Sequence, residues 1–513
     1  MERRRFLKQA FITAAGTALL PGMMKGNTLW EPIIIDGKAP GKPFTHFWSK
    51  TVGGGRASEG LRATWLEQLQ FSKKQCGFEY SRCHGIFHDD MYVFKSNNGT
   101  TVYNWQYVDE LYDKMLKSGV KPFVELSVFP KEIAGSQSTQ FWWKAHVMAP
   151  SELVKWGDMM TGFAKHCIER WGIEEVSTWY FEVWNEPDQH NWWEGTKAQY
   201  FELYKTSVQA IKAVSPRLRV GGPATSSFGA DGKGPWIEEF LAYCATEKLA
   251  LDFVSLHPYP TDAGMAREVD ATLKDLQWLN GVVRKSAFPQ AEIHLTEWNS
   301  SASPRDVMHD SLPAAAYIIR VNADCIGLVD SLAYTSFTDG YDETGAGDAF
   351  HGGVGLLNNQ GIPKPSFHAY RLLHLLGDEM LYNKDGIVIT RHKDSKRITA
   401  IVYNYPTGIR TVPTGAPEQI LNMGEERAFN LKLTNVHPDA RFNVEILDRD
   451  NGNAVHSWKD AGSPEVPTKE QAHTLQQMAM AVREEQILAS TTGVLQVGKS
   501  LKSWDVVLID ELA

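Results

Sequence analysis

Trp179-Tyr180-Phe181-Glu182-Val183-Trp184-Asn185-Glu186-Pro187 is a short, mostly apolar run that stops on an acid. Its length and composition read as a largely buried strand, and the Asn-Glu-Pro that closes it belongs to a turn. Ile293-His294-Leu295-Thr296-Glu297-Trp298-Asn299 repeats the pattern: a short run, then Glu297, then an aromatic residue and an amide.

Outward from these two runs the chain keeps one rhythm. Strand-like runs fall at residues 44–48, 80–87, 122–127, 179–186, 218–223, 253–259, 292–299 and 331–339. Segments of helical period lie between them, among them 105–117, 153–171, 200–213 and 313–327. Eight such units in succession predict an α/β fold, a (β/α)8 TIM barrel with insertions, over residues 40–378. In that fold, functional groups gather at the carboxyl ends of the strands. Glu186 then closes strand four and Glu297 strand seven, and both face one mouth. A pair of carboxyl groups is what breaks a glycosidic bond: one protonates the leaving oxygen while the other attacks or activates water.

After residue 378 the pattern changes. Runs at 386–390, 398–403, 427–433, 442–448 and 503–508, separated by Pro, Gly and Asn turns, predict a C-terminal antiparallel β-sandwich over 379–513. Residues 30–35, within the stretch 27–39, are suited to add an edge strand to it. Residues 469–489 have helical period without Gly or Pro, so one helix is expected to interrupt the tail.

At the other end, Arg3-Arg4-Arg5-Phe6-Leu7-Lys8 precedes an apolar stretch from Ala10 to Leu20 and a Pro21-Gly22 breaker. Basic residues followed by a short apolar segment form a secretory signal over residues 1–26, too short to span a bilayer. Arg3-Arg4-x-Phe6-Leu7-Lys8 resembles the twin-arginine motif, with Glu2 where Ser or Thr is usual. The expected location is periplasmic or extracellular, with no membrane attachment once the signal is cut. The five cysteines are widely spaced, form no CxxC pattern, and read as buried thiols. The formal net charge of −9 argues against nucleic acid or an anionic membrane as partner. It leaves a homo-oligomer open.

Other residues gather at the predicted mouth. Ser81-Arg82-Cys83-His84-Gly85 ends strand two, where Arg82 is placed to hold a carboxylate and His84 to meet a sugar hydroxyl. His257 and Tyr259 end strand six, and either could orient the Glu297 carboxylate and keep it ionised. Asn185 is a natural partner for a sugar 2-hydroxyl. His88-Asp89-Asp90 has metal-ligand chemistry but no second cluster at suitable spacing, so neither a metal nor a cofactor is expected.

With these residues set out, the chain resembles glycoside hydrolase family 39, the bacterial β-xylosidases and α-L-iduronidases, and most closely the β-xylosidase branch. The stretches that carry the likeness include Val52-Gly53-Gly54-Gly55-Arg56, Arg82-Cys83-His84-Gly85, Trp184-Asn185-Glu186-Pro187, Val220-Gly221-Gly222-Pro223-Ala224, Leu295-Thr296-Glu297 and His351-Gly352-Gly353-Val354-Gly355-Leu356. The resemblance implies a retaining exo-glycosidase with Glu186 as acid/base and Glu297 as nucleophile. It places His84, Asn185, His257, Tyr259, Asp342 and Glu343 around an oligosaccharide or glycoside substrate. Two departures stand out. The xylosidases read Tyr-Trp-Thr-Phe on strand eight where this chain has Tyr334-Thr335-Ser336-Phe337, which alters the floor under the sugar. Iduronidases carry a basic residue after the strand-six His, where this chain has Pro258. The glycone therefore stays open among xyloside, arabinoside, galactoside, glucoside and iduronide. A silent carbohydrate-binding barrel is the rival of another class, but it would typically have lost one of the two acids. No Gly-x-Ser-x-Gly elbow supports a serine hydrolase.

Overall fold

The computed structural model describes residues 31–97, 100–227, 235–262, 265–340 and 347–512. The predicted export signal lies outside the described residues. Eight parallel strands close into a barrel in sequential order: β1 (Thr51–Arg56), β2 (Tyr80–His84), β3 (Lys121–Leu126), β4 (Tyr180–Val183), β5 (Arg219–Thr225), β6 (Phe253–Leu256), β7 (Glu292–Trp298) and β8 (Ser331–Tyr334). The crossovers carry helices α1 (Ala63–Cys76), α2 (Gln106–Lys117), α3 (Leu153–Trp171), α4 (Lys197–Val214), α5 (Trp236–Thr246), α6 (Ala271–Lys285) and α7 (Leu312–Asp324), with α8 (Pro365–His374) following β8.

The first strand is not where the apolar pattern puts it. Residues 44–48 were the expected strand, but Phe47–Ser49 is a 3-10 turn and β1 is the glycine-rich run that follows. Glycine weakens a strand read from propensity alone. Here it is required. A β-carbon on Gly53 would stand 1.6 Å from the Thr335 carbonyl oxygen, and one on Gly54 would stand 2.7 Å from Ser81 Oγ. The barrel closes on itself at this seam, and only bare backbone fits.

Side chains two apart share a strand face, so each barrel strand sends i, i+2 and i+4 inward. The floor is a cluster of Tyr80, Phe123, Tyr180 and Phe253, with the Phe123 and Tyr180 rings stacked at 4.9 Å. One inward position further along come Arg82 on β2, Glu125 on β3, Glu182 on β4 and Ser255 on β6, all buried. The barrel therefore fills with aromatics at the bottom and charge above them.

Beyond α8 an antiparallel sheet of seven strands forms, in the order Lys42–Pro43, β9 (Glu379–Lys384), β10 (Ile387–Arg391), β11 (Ile398–Tyr403), β16 (Val506–Glu511), β13 (Arg441–Leu447) and β14 (Arg483–Leu488). A three-stranded sheet covers it: Ile33–Asp36, β12 (Arg427–Thr434) and β15 (Val494–Leu501). Ile387, Ile389, Ala400, Val402, Val507 and Ile509 face the small sheet. The alternate residues Val388, Ile401, Tyr403, Val506 and Leu508 join the barrel's own core. Strands β10, β11 and β16 are thus buried on both faces, which seats the sandwich against α7 and α8. The stretch 30–35 does supply an edge strand, paired in parallel with β12.

The expected helix 469–489 ends early. Lys469–Met480 is helical behind a Thr468/Gln471 capping box, but Arg483–Leu488 is the edge strand β14. Its polar residues face solvent while the backbone pairs with β13, so tertiary pairing overrides local propensity. Two further short helices, Pro417–Leu421 and Val455–Asp460, break the tail where one was expected. All five cysteines are buried free thiols. No helix among the described residues is long and apolar enough to cross a membrane.

Candidate active site

Glu186 and Glu297 reach one point by local distortions of their strands. Just past β4, Trp184 and Glu186 both adopt left-handed backbone, at φ 73° and 42°, where non-glycine residues are uncommon. The Glu186 N–H donates to the Ala224 carbonyl at 2.8 Å, which ties the turn to the end of β5. In β7 the register against β8 slips between Leu295 and Trp298. Such an irregularity lets neighbouring residues turn to the same side, and both Thr296 and Glu297 contact interior groups. Oxygens of Glu186 and Glu297 and a ring nitrogen of His257 lie within 4.8 Å of one another.

Arg82 organises the floor beneath them. Its Nε donates to Glu182 Oε2 at 2.6 Å, its Nη1 to Glu297 Oε1 at 2.8 Å and its Nη2 to Asn185 Oδ1 at 2.8 Å. Nη2 also stands 2.8 Å from Glu125 Oε2. One guanidinium thus faces three carboxylates in a dry interior, where an unpaired charge is costly. The second cation is His84, whose Nδ1 is 2.6 Å from Glu125 Oε2 and whose Nε2 is 3.3 Å from Glu297 Oε1. Burial pushes the His84 imidazole down, but Glu125 and Glu297 outweigh it and lift its pKa to about 9.

Tyr259 donates to Glu297 Oε2 at 3.0 Å and lies 2.9 Å from Thr335 Oγ1. Burial alone would raise the Glu297 carboxyl. The positive faces of His257, His84 and Arg82, with the Tyr259 hydroxyl, more than offset it and hold Glu297 well below the usual carboxylate range. Burial also pushes His257 below its ordinary value. A neutral His257 at neutral pH leaves the depression of Glu297 resting on Arg82 and His84.

The sequence-predicted residues sort as follows. Arg82, His84, Asn185, Glu186, His257, Tyr259 and Glu297 converge at the mouth. Of the two strand-six residues either of which could orient Glu297, Tyr259 donates to it, while His257 lies nearer to Glu186. Its Nδ1 is 3.1 Å from Glu186 Oε1 and 3.8 Å from Glu297 Oε1. Asp342 and Glu343 lie outside the described residues. His88 and Asp90 pair with each other, His88 Nδ1 lying 2.7 Å from Asp90 Oδ1, while Asp90 Oδ2 is 3.1 Å from Arg56 Nη1 and Asp89 turns to His146 at 3.7 Å. Glu186, His257 and Glu297 form a donor set that a cation could enter, although Arg82, His84 and Tyr259 already face the Glu297 oxygens. Reasoning from the sequence missed Glu125, Glu182, Thr296 and Trp192. The signal for the first two was a lone acid at an inward position of an otherwise apolar strand. The Trp192 ring stands 5.0 Å from His84 and packs on Phe141 and Trp143, giving the mouth an aromatic wall.

Two acids, one just past β4 and one on β7, one held ionised and one facing a neutral imidazole, form a constellation suited to glycosyl transfer to water. The sequence model of glycosyl hydrolases family 39 matches residues 32–496. The chain belongs to this family. As a family 39 member it is a glycoside hydrolase. It is 34% identical over 487 residues to a β-xylosidase of Geobacillus stearothermophilus, a match covering 91% of this chain and 93% of that one. The crystal structure of a monomeric β-xylosidase from Caulobacter crescentus CB15 superposes with a TM-score of 0.84 at 32% identity, over 93% of this chain and 98% of the other. An α-L-iduronidase of Mus musculus is 27% identical over 244 residues, which is 44% of this chain and 36% of the iduronidase.

Proposed function

We propose that this family 39 enzyme is a retaining, exo-acting β-xylosidase working by double displacement. Glu297 attacks the anomeric carbon while Glu186 protonates the leaving oxygen. Glu186 then removes a proton from the water that hydrolyses the glycosyl-enzyme. The observation that carries the reading is the spacing: carboxylate oxygens that approach within 4.8 Å favour the ~5–5.5 Å separation of retaining pairs over the ~6.5–9.5 Å of inverting ones. Asn185, with Oδ1 committed to Arg82, keeps its amide hydrogens for a sugar hydroxyl.

The glycone reading follows the β-xylosidase relatives, which match nearly end to end, whereas the iduronidase match covers less than half of either chain. Pro258, standing where iduronidases carry a basic residue, supports the same choice. Thr335 in place of an aromatic residue keeps arabinosides, galactosides and glucosides in the test. A panel of nitrophenyl glycosides run on the purified enzyme decides it: the β-D-xyloside should give the highest kcat/KM, and a higher value on any other glycone overturns the assignment. The protein is further proposed to be exported by a twin-arginine signal over residues 1–26. Replacing Arg3 and Arg4 by Lys should trap it in the cytoplasmic fraction.

A further inference from the structure

A line of hydrogen bonds runs from the barrel interior to Glu186. Arg82 Nε donates to Glu182 Oε2 at 2.6 Å, Thr296 Oγ1 donates to Glu182 Oε1 at 2.8 Å, His257 Nε2 lies 2.9 Å from Thr296 Oγ1, and His257 Nδ1 lies 3.1 Å from Glu186 Oε1. Its polarity can be derived from the far end. A carboxylate bound to the Arg82 guanidinium accepts and does not donate, so the single hydroxyl hydrogen of Thr296 points at Glu182. Thr296 Oγ1 can then only accept, and the hydrogen between it and His257 must sit on Nε2. A neutral imidazole with Nε2–H presents a bare lone pair at Nδ1. The contact between Nδ1 and Glu186 Oε1 needs one hydrogen, and only Glu186 is left to supply it.

We propose that Glu182 and Thr296 are positioning residues that lock His257 in its Nε2–H tautomer, so that His257 Nδ1 accepts the acid proton of Glu186. The proposal rests on the reading of Glu186 as acid/base. Its consequence covers both half-reactions. Glu186 releases its proton to the leaving oxygen and becomes a carboxylate facing a lone pair instead of a cation, which strengthens it as the base for the attacking water. Glu186 then takes a proton from that water and the starting hydrogen bond re-forms. No proton leaves His257, Thr296 or Glu182. The other charges facing the His257 ring are Glu297, Arg82 and Glu125 from β7, β2 and β3. Burial in that setting favours the uncharged ring over an imidazolium–Glu186 ion pair.

Thr296→Val removes the acceptor while keeping the shape. With nothing for Nε2–H to bind, the ring should switch to Nδ1–H and donate to Glu186, stabilising its ionised form. The alkaline limb of kcat/KM should move down by about one pH unit. Turnover of a phenyl glycoside, whose leaving group needs the acid, should fall by about 10²-fold. The glycosylation burst on a dinitrophenyl glycoside should remain within about threefold of wild type, since that step needs no acid catalyst. Thr296→Ser should restore both profile and rate. An unchanged alkaline limb, an equal loss on both substrates, or failure of Ser to restore would each overturn the proposal. The tautomer also has a direct readout in the wild-type enzyme: 15N shifts of the His257 ring, assigned by their loss in His257→Gln, should show a neutral Nε2–H ring at pH 7. A protonated Nδ1 would refute it without any variant having to fold. If the wild-type enzyme cleaves no aryl glycoside, the reading of Glu186 fails. If it does and Thr296→Val keeps its pH profile, only the tautomer lock fails.

Discussion

Oxygens of Glu186 and Glu297 approach within 4.8 Å although the two residues end strands three places apart around the barrel. Oxygens this close suit the proposed double displacement, in which water enters after the aglycone has left. The first-formed sugar should therefore keep the anomeric configuration of the substrate. An NMR time course begun within the first turnovers checks this, and an initial product of opposite configuration would refute it.

Glu297 should remain ionised far into acid. Glu297 is held below the usual carboxylate range by Arg82 and His84 against the opposing effect of burial. A group whose folded pKa is depressed gives activity that is present above that pKa and lost as pH falls through it. Arg82→Lys keeps a charge but cannot maintain the four-way contact, so the acid limb of kcat/KM should move to higher pH. Arg82→Met leaves buried carboxylates unpaired and should destabilise the fold by about 3–5 kcal/mol. Urea unfolding of the two variants beside wild type measures the difference.

His84 gives stability with the opposite sign. Its pKa rises from 6.5 to about 9 on folding. The stabilising charge is complete below pH 6.5 and is lost as pH rises through about 9. Unfolding free energy should decline across that interval, and His84→Phe should remove that part of the slope. A slope identical in the two proteins would place the charge elsewhere.

Much of the fold follows from periodicity, because barrel strands are short apolar runs bounded by turns and their helices carry a clear 3.6-residue period. The exceptions share a physical origin: contacts distant in sequence. The glycines of β1 look like a loop until Thr335 and Ser81 are seen pressing on them. Arg483-Glu484-Glu485-Gln486-Ile487-Leu488 has helix-forming composition, yet β13 offers it an open edge. At the site, the two acids were legible because each ends a strand. Glu125 and Glu182 were not, since an acid inside a strand is read as solvated until its neighbours are placed. The interior contacts of both Thr296 and Glu297 coincide with a register slip in β7 that no local pattern announces.

Chelation should leave the enzyme untouched. Glu186, His257 and Glu297 form a donor set, but the Glu297 oxygens are already taken by Arg82, His84 and Tyr259. Dialysis against EDTA should not change kcat on an aryl glycoside. A loss restored by one divalent cation would make this cluster a metal site.

The two acids should fail in different ways. Glu297→Ala has no carboxylate to form the glycosyl-enzyme, so it should be inactive on every substrate, dinitrophenyl glycosides included, by a factor far above 10⁴. Glu186→Ala should still react with a dinitrophenyl glycoside, whose leaving group departs unprotonated. Hydrolysis of the intermediate then lacks its base, so release of dinitrophenol should show a burst followed by a slow phase. Azide needs no base and fits where the carboxylate was, so it should restore turnover and yield a glycosyl azide of retained configuration. Mass spectrometry of peptides from the burst-phase protein should find the sugar on Glu297. A label on any other residue, or azide rescue in Glu297→Ala with the configuration of Glu186→Ala, would mean that the roles of the two carboxylates have been exchanged.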